Sequence, residues 1–468
     1  MIACLWAPSL PLQALLRAEP ELRGQAVAIL EQGQVTAMTF AAARQEVRPG
    51  MTATAALAVC PHLTLRTPAR EIVRAAAAAL ADVAYGFSPH VEAAEPGWIY
   101  FDASGLGRLH ETAQDLQKAV LAAAQRVGLS VRVGIGSGKF AAKLRARWRE
   151  VVVGVLPVEA LEPSPEAASR LARWGVRKVA DLAALAPPAV GRRLGEEGAR
   201  LARRARAAIG GQTRGDDPLC PAPAPLRFEE AIELDWALYD VESLAFVVRG
   251  LLERLVARLH CRALAASALE VRLALDPRGM HEIQVPLRAP TRQVATMTTL
   301  VRLAVAAQPP DRGVTGIAIV ARPAPPATDQ LSLFDPVPPP PETLQATVAR
   351  VEAIVGPGHV GSPQVLDSHR PDAQRLIPFA PPRTAAATAP AGPHKVVALR
   401  WLPPTEELDA LAKVQGARVT AHAGPWRLSA DWWREPFERD YYEVRTVSGA
   451  IYLVCRNLER WQVVGMFD

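Results

Sequence analysis

A multidomain α+β protein is expected from this chain on three grounds. Strand-like and helix-like runs alternate through the first third, a hairpin flanked by apolar helical stripes occupies the middle, and residues 395–468 alternate in polarity around aromatic side chains. Proline-rich stretches separate the parts. Residues 323–341 hold eight prolines and residues 378–393 hold five, compositions that favour extended, solvated linkers. With 468 residues, half of them hydrophobic, each part is large enough to bury a core of its own.

Lys and Arg number 53 against 47 Asp and Glu, a formal net charge of +6, which suits a polyanionic partner without demanding one. Cys4, Cys60, Cys220, Cys261 and Cys455 lie far apart with no CxxC pair. That spacing argues against a structural zinc site and a disulfide framework, and fits a reducing compartment. The opening run MIACLWAPSLPLQALLR lacks a basic leading segment and is broken by Pro8 and Pro11. No later segment reaches the roughly 20 uncharged apolar residues of a membrane span. The expectation is a soluble, cytoplasmic protein with no membrane partner.

In chain order, VAIL (27–30) and WIYFD (98–102) read as strands. DLQKAVLAAAQRVG reads as a helix with Leu116, Val120 and Val127 on one face, and VRVGIG (131–136) as a buried strand leading into the helix KFAAKLRARWR. Residues 166–207 look all-helical and basic. After a proline-rich join at 218–225, the helix 241–259 carries Val241, Leu244, Val248, Leu251, Leu255 and Leu259 at a 3.6-residue period. A hairpin follows, its turn marked by Asp276, Pro277 and Gly279, then a helix near 291–306 and the strand GVTGIAIVAR. Residues 395–468 hold five of the ten tryptophans and three of the six tyrosines, and their alternation suggests a compact, mostly β module.

Two stretches invite a chemical reading. VGIGSGKF (133–140) suggests a phosphate loop, but only three residues separate Gly134 from Gly138, and Phe140 stands where a magnesium-binding Ser or Thr is required. That reading is rejected. Between Arg170 and Arg206 stand ten basic residues, Arg170, Arg173, Arg177, Lys178, Arg192, Arg193, Arg200, Arg203, Arg204 and Arg206, against Asp181, Glu196 and Glu197. The text LARWGVRKVADLAAL is helix, Gly turn, helix, an arrangement that can offer backbone N–H groups and cations to successive phosphates. DNA-backbone contact, independent of base sequence and steeply salt-dependent, is one reading; a solvated arginine-rich face is the other. No metal or catalytic cluster emerges. Histidines are scattered, and the only carboxylate of WIYFD is Asp102, a strand-end position typical of turns and caps.

The order of pieces resembles the Y-family translesion DNA polymerases. AAARQEVRPGMTATAALAVCPHL (41–63) is similar to that family's fingers segment, FDASG (101–105) to its Leu-Asp-Val-Thr-Gly, and VGIGSGKFAAKLRA to its Gly-Ile-x-x-Asn-Lys-x-x-Ala-Lys run. The resemblance covers roughly residues 1–322 and implies a right hand. Its palm would span 1–160 with fingers inserted at about 21–68, its helix-hairpin-helix thumb 161–215 and its little finger 226–322. A linker at 323–343, a partly ordered connector and linker at 344–394 and a C-terminal partner-binding module at 395–468 would follow.

The resemblance also implies two magnesium ions on one acid of the first strand and an Asp-Glu pair of the third, because developing charge must be offset by close cations held by hard oxygen ligands. Here Trp6 falls at the first acid, Pro8 at the second acid-bearing position and Pro11 at the aromatic steric gate, while Gly97 and Trp98 replace the Asp-Glu pair. A triphosphate-contacting Lys falls on Glu150, seven residues beyond Lys143. Arg44 is a candidate for the triphosphate-binding Arg, in a segment one residue short. The expectation is a polymerase scaffold without catalytic residues, metal or cofactor; the alternative keeps activity through other acids, Asp102 or Glu95.

Scaffold without site resembles the ImuB family, the catalytically inactive Y-family homologues of the bacterial mutasome. The tail GPWRLSADWWREPFERDYYEV through GAIYLVCRNLERWQVVGMFD is similar to that family's. The resemblance implies three partners: DNA, an ImuA-type RecA-like protein and an error-prone C-family polymerase. The docking surface for the protein partners would include Trp426, Trp432, Trp433, Tyr441, Tyr442 and Trp461, since aromatics anchor interfaces; the other reading is that most of them fill a small β core. QLSLF (330–334) matches the peptide by which bacterial polymerases dock on the β sliding clamp. Leu331, Leu333 and Phe334 would enter an apolar groove while Gln330 hydrogen-bonds at its edge, a tether of about −8 kcal/mol at best. The expected function is a non-catalytic adaptor for mutagenic translesion synthesis in the DNA-damage (SOS) response. The alternatives are an active polymerase with displaced ligands and a clamp-associated DNA-binding regulator.

Overall fold

The computed structural model describes residues 1–148, 152–210, 218–223, 226–326, 341–356, 358–367, 374–378, 399–402, 407–408, 411–430, 436–457 and 460–467. The chain divides into two compact units, Met1–Ala349 and Arg350–Asp468.

The first unit begins with β1 (Ile2–Trp6), α1 (Leu10–Ala18), β2 (Val27–Glu31), β3 (Gln34–Met38), α2 (Phe40–Ala43), α3 (Ala53–Val59) and β4 (Thr64–Arg66). It continues with α4 (Arg70–Tyr85), β5 (Val91–Glu95), β6 (Trp98–Asp102), α5 (Ala113–Arg126), β7 (Arg132–Gly136) and α6 (Lys139–Arg147). Four of these strands form a sheet in the order β5-β6-β1-β7, with every pairing antiparallel. Period-two alternation sends Ala3, Leu5, Ile99, Phe101, Val133 and Ile135 into a core with α4 and α5. The opposite face is covered by α6. A Cβ at Gly134 would lie 2.1 Å from the Ala142 carbonyl oxygen, and one at Gly136 2.7 Å from the Ala142 nitrogen. These glycines therefore let a helix lie flat on the strand, the physical reason that VGIGSGKF looks like a phosphate loop without being one. Between α1 and α4, β3-β2-β4 make a separate small sheet with its own core around Ala28, Val35, Ala42 and Cys60.

Three helices follow, α7 (Pro165–Arg173), α8 (Val179–Ala184) and α9 (Pro187–Ala208), packed through Leu171, Leu182, Leu201 and Ala205 onto Phe140 and Leu144 of α6. The long α9 breaks at Gly195, whose φ of 71° and ψ of −162° only glycine adopts without strain. Then come β8 (Phe228–Leu238), α10 (Val241–Cys261), β9 (Ala265–Leu275), β10 (Met280–Thr291), α11 (Val294–Ala307), β11 (Val314–Ala324) and α12 (Pro341–Val355). The sheet β10-β9-β11-β8 packs one face on α10 and α11. The expected stripe is buried at Leu244, Val248, Leu251, Leu255 and Leu259, while Val241 is half-buried at the helix start.

The second unit is β-rich, as residues 395–468 suggested. A hairpin of β12 (Gly361–Val365) and β13 (Gln374–Pro378) precedes β14 (Leu399–Trp401), β15 (Glu407–Leu408), β16 (Lys413–Val414), β17 (Ala417–Ala430), β18 (Phe437–Thr446), β19 (Ile451–Asn457) and β20 (Arg460–Phe467). These seven form one sheet ordered β14-β20-β19-β18-β17-β16, with β15 also on β20, over a core of Val414, Val444, Tyr452, Val454 and Val463.

Candidate functional site

The α6-covered face of the first sheet carries the positions at which the resemblance placed metal-binding acids. Strand register makes Trp6 the direct partner of Trp98 on one side and of Arg132 on the other. The indoles of Trp6 and Trp98 stack with centroids 4.8 Å apart and planes 6° from parallel. The Arg132 guanidinium lies over the Trp6 ring at 5.3 Å, and the Lys143 ammonium over Trp98 at 5.5 Å. Beside them Lys139 stands 5.8 Å from the Tyr100 ring and 2.9 Å from Glu92. Cys4, Trp98, Tyr100, Ala142 and Ala146 form the buried floor, and Leu219 packs against it. Residues 218–223 run along β5, with the Ala222 N–H donating to Val91 O and the Cys220 N–H to a Glu92 carboxylate oxygen. Aromatic faces attract cations through their quadrupole. The cations they hold here are the protein's own.

Gly97 stands in the β5–β6 turn with φ +84°, and a Cβ there would come 2.9 Å from the Ala7 carbonyl oxygen. Its own carbonyl accepts the Ala7 N–H at 2.8 Å, so an acidic side chain has neither the backbone conformation nor the space. Pro8 follows β1, where its carbonyl accepts from the Gln13 amide, and Pro11 lies in the first turn of α1. Glu95 is exposed at one end of β6's partner strand. Asp102 is at the far end of β6, where Ser104 donates to it from both its backbone N–H and its hydroxyl. Those bonds hold the Asp102 carboxyl below the usual aspartate range. Asp102 is a turn-capping residue. Arg44 is the exposed residue ending α2, Lys143 is paired with Glu162 at 3.0 Å, and Glu150 lies outside the described residues. Among the described residues no group of three or more His, Cys, Asp or Glu side chains could hold a metal.

The basic residues of α7–α9 separate into two kinds. Arg173, Arg177, Lys178, Arg192, Arg193 and Arg200 are exposed, with Arg193 5.7 Å over the Trp174 ring. Arg203 and Arg204 are half-buried, Arg204 over Phe140 at 4.5 Å, and Arg170 is paired with Glu166 one turn away. Arg206 donates from Nε to the Ala183 carbonyl at 2.9 Å and so caps α8. The backbone part of the sequence expectation is corrected. The N–H groups of Arg177 and Lys178 donate to the Asp181 carboxylate, that of Val176 to Leu171 O and that of Val179 to Leu156 O. A turn that bonds its own amides this fully leaves side-chain cations, not N–H groups, for an anion. Those backbone bonds also hold Asp181 below the usual range.

Residues 5–147 match the model of the impB/mucB/samB family. The chain is 28% identical over 208 residues to DNA polymerase IV of Pseudomonas aeruginosa, covering 40% of this chain and 59% of that one. To the protein ImuB of Caulobacter vibrioides it is 26% identical over 353 residues, 72% of this chain and 76% of that one. The chain therefore matches a little over half the length of that polymerase IV. Among solved structures it is similar to a ternary complex of Dbh, with a TM-score of 0.37 and 14% identity over 69% of this chain and 99% of that one. A crystal structure of DinB from Sulfolobus solfataricus has a TM-score of 0.36 and 15% identity over 70% and 100%.

In the second unit Tyr441 is buried, and Tyr442 and Trp461 pack against the core with rings 4.8 Å apart. Among the described members of the set, Tyr441 is in the core, Tyr442 and Trp461 are half-buried, and Trp426 is 48% exposed. Trp432 and Trp433 lie outside the described residues, as do Gln330, Leu331, Leu333 and Phe334. No helix among the described residues is long and apolar enough to cross a membrane.

Sequence reasoning missed a buried ion cluster joining α1 and α4 to β8 and α10. Arg17 forms a bidentate pair with Glu230 at 2.7 and 2.9 Å, and Arg258 bridges Asp82 at 2.8 Å and Glu230 at 3.1 Å. Burial pushes Glu230 up, but Arg17, Arg258 and Arg254 more than offset it and leave the carboxyl below its ordinary value. At Asp82 burial outweighs Arg258 and Arg262 and the carboxyl is raised. One signal was present: Arg258 interrupts the apolar stripe of α10 between Leu255 and Leu259. Its partners lie 176 and 28 residues away.

Proposed function

We propose that this chain is a non-catalytic, Y-family-polymerase-like adaptor. It binds DNA without base specificity through the arginines of α7–α9, docks on the sliding clamp through Gln330, Leu331, Leu333 and Phe334, and brings an error-prone C-family polymerase to damaged template. An ImuA-type RecA-like protein completes the assembly, in the mutagenic branch of the DNA-damage (SOS) response. Supporting the reading are the match of residues 5–147 to the impB/mucB/samB family and the similarity to relatives named DNA polymerase IV and ImuB.

The observation that carries it is the Trp6–Trp98 stack with Arg132 and Lys143 on its rings. Magnesium requires hard oxygen donors. Positions 6, 97 and 98 supply two indoles and a bare Cα, and two protein cations already hold the adjoining space, so the two-magnesium group does not fit here. Displacement of its ligands to Asp102 and Glu95 meets a distance problem. The register pairs Glu95 with Trp98, four residues along β6 from Asp102, or roughly 13 Å at ~3.3 Å per residue. Paired catalytic metals sit only about 3.5–4 Å apart.

Primer extension with magnesium and all four nucleotides tests the proposal. No incorporation is expected from the protein alone, and incorporation abolished by Asp102→Asn or Glu95→Gln would establish the active-polymerase alternative. Failure of residues 395–468 to retain any polymerase or RecA-like protein in a pull-down would favour the regulator.

A further inference from the structure

We propose that Arg17, Asp82, Glu230 and Arg258 are positioning residues. They form an ionic interlock that fixes the β8–β11 module on the first sheet's helical layer in one orientation, so that DNA meets a preset surface. The DNA consequence rests on the function proposed above; the interlock itself does not.

The connection from the end of α9 at Ala208 to the start of β8 at Phe228 is long and proline-containing, and beyond its contact with β5 at residues 218–223 its composition by itself permits many orientations. The seam removes that freedom. Arg258 and Glu230 are each 1% exposed, and every guanidinium nitrogen of Arg258 is engaged: Nε donates to Asp82, Nη1 to Glu230 and the Glu229 carbonyl, Nη2 to the Arg227 carbonyl. Arg17 donates Nε to the Val127 carbonyl at the end of α5 and its fork to Glu230. Arg254 donates to the carbonyls of Arg17 and Ala18 where α1 ends, and Arg262 to Asp82. Four guanidiniums thus surround two carboxylates. The surplus positive charge is met by carbonyls at helix C-termini, where cations are favoured.

A second observation is independent of charge. A Cβ at Gly86, just past α4, would lie 2.5 Å from the Cys261 carbonyl oxygen at the end of α10. Its φ of −68° is ordinary, so the glycine is required by the approach of the two helices and not by its own backbone. A charged cluster buried this deeply resists partial opening, because each separated ion would stay desolvated without its partner. The modules are held together or part completely, and salt barely screens the contact.

The test replaces residues 211–217 of the full-length chain with a protease site, cleaves it, and follows both fragments by gel filtration. They are expected to co-migrate at 0.15 M and at 1 M NaCl; separation of the unsubstituted fragments at either salt overturns the interlock. In the Glu230→Gln, Asp82→Asn double variant they are expected to separate, and continued co-migration overturns the assignment to these residues. Hydrogen exchange in β9 and α11 shows whether that variant is folded. If it is not, Gly86→Met takes its place with the same expectation. Cleaved wild type should bind a recessed primer-template duplex within twofold of the uncut chain, and the cleaved variant at least tenfold more weakly; equal binding by the two overturns positioning. If uncut wild type does not bind the duplex at all, the DNA reading fails while co-migration still decides the interlock.

Discussion

Trp6 and Trp98 face each other across β1 and β6 with ring centroids 4.8 Å apart. Neighbouring strands place directly opposed side chains close enough to pair, and the same geometry that would let two carboxylates share a cation lets two indoles stack. Arg132 and Lys143 then occupy the aromatic faces. The cations on this face are the protein's own.

Placing acids at positions 6, 97 and 98 should therefore yield no polymerase. The triple variant Trp6→Asp, Gly97→Asp, Trp98→Glu is expected to incorporate no nucleotide in primer extension. It should also be less stable, since Trp98 is 9% exposed and truncating a buried Trp or Phe typically costs ~3–5 kcal/mol. Denaturant titration of Trp98→Ala measures that loss directly.

The ion cluster makes a prediction with a definite sign in pH. Glu230 is held below its ordinary value, so its contribution is fully present above about pH 4.3, the unfolded value. It is lost as pH falls through the lower folded value. Asp82 is raised and works the other way, its proton uptake favouring the folded state slightly as pH falls. Stability of the first unit should hold down to about pH 4.3 and drop below it. Glu230→Gln at pH 7 should cost ~3–5 kcal/mol, the usual result of stranding one member of a buried pair. Urea midpoints across pH check both.

Arginines of α7–α9 should divide by exposure. Removing Arg173, Arg192 and Arg200 together, all exposed, is expected to lower the slope of log affinity against log salt by about 2.7, or ~0.9 for each phosphate no longer neutralised. Arg206→Ala should leave that slope unchanged and cost about 1–3 kcal/mol of stability, because its guanidinium is committed to the Ala183 carbonyl. Fluorescence anisotropy with duplex DNA at several salt concentrations distinguishes them.

Leu333→Ala with Phe334→Ala should abolish clamp binding and leave DNA affinity intact. Each large side chain contributes ~1.5–3 kcal/mol when buried, and the tether has few of them. Surface plasmon resonance on immobilised clamp reads the first quantity and anisotropy the second; equal loss of both contradicts a tether.

Local chemistry was legible in the sequence wherever a single segment carries the information. The stripe of α10, the hairpin turn at Asp276, Pro277 and Gly279, and the alternation of β19 and β20 follow from periodicity, because burying one face of a helix or strand imposes 3.6 or 2 on the order of apolar residues. The lack of oxygen donors at positions 6, 97 and 98 was equally legible, since what an indole or a glycine lacks as a ligand does not depend on its surroundings. Tertiary structure decided what those residues do instead. It stacked Trp6 on Trp98 and seated Arg132 and Lys143 on them. It turned Arg206 from a candidate phosphate ligand into a helix cap, put Tyr441 inside, and joined Arg17 to Glu230 across 213 residues. Electrostatic partners are chosen by proximity in space, and no period in the chain records a pairing between segments that meet only after folding.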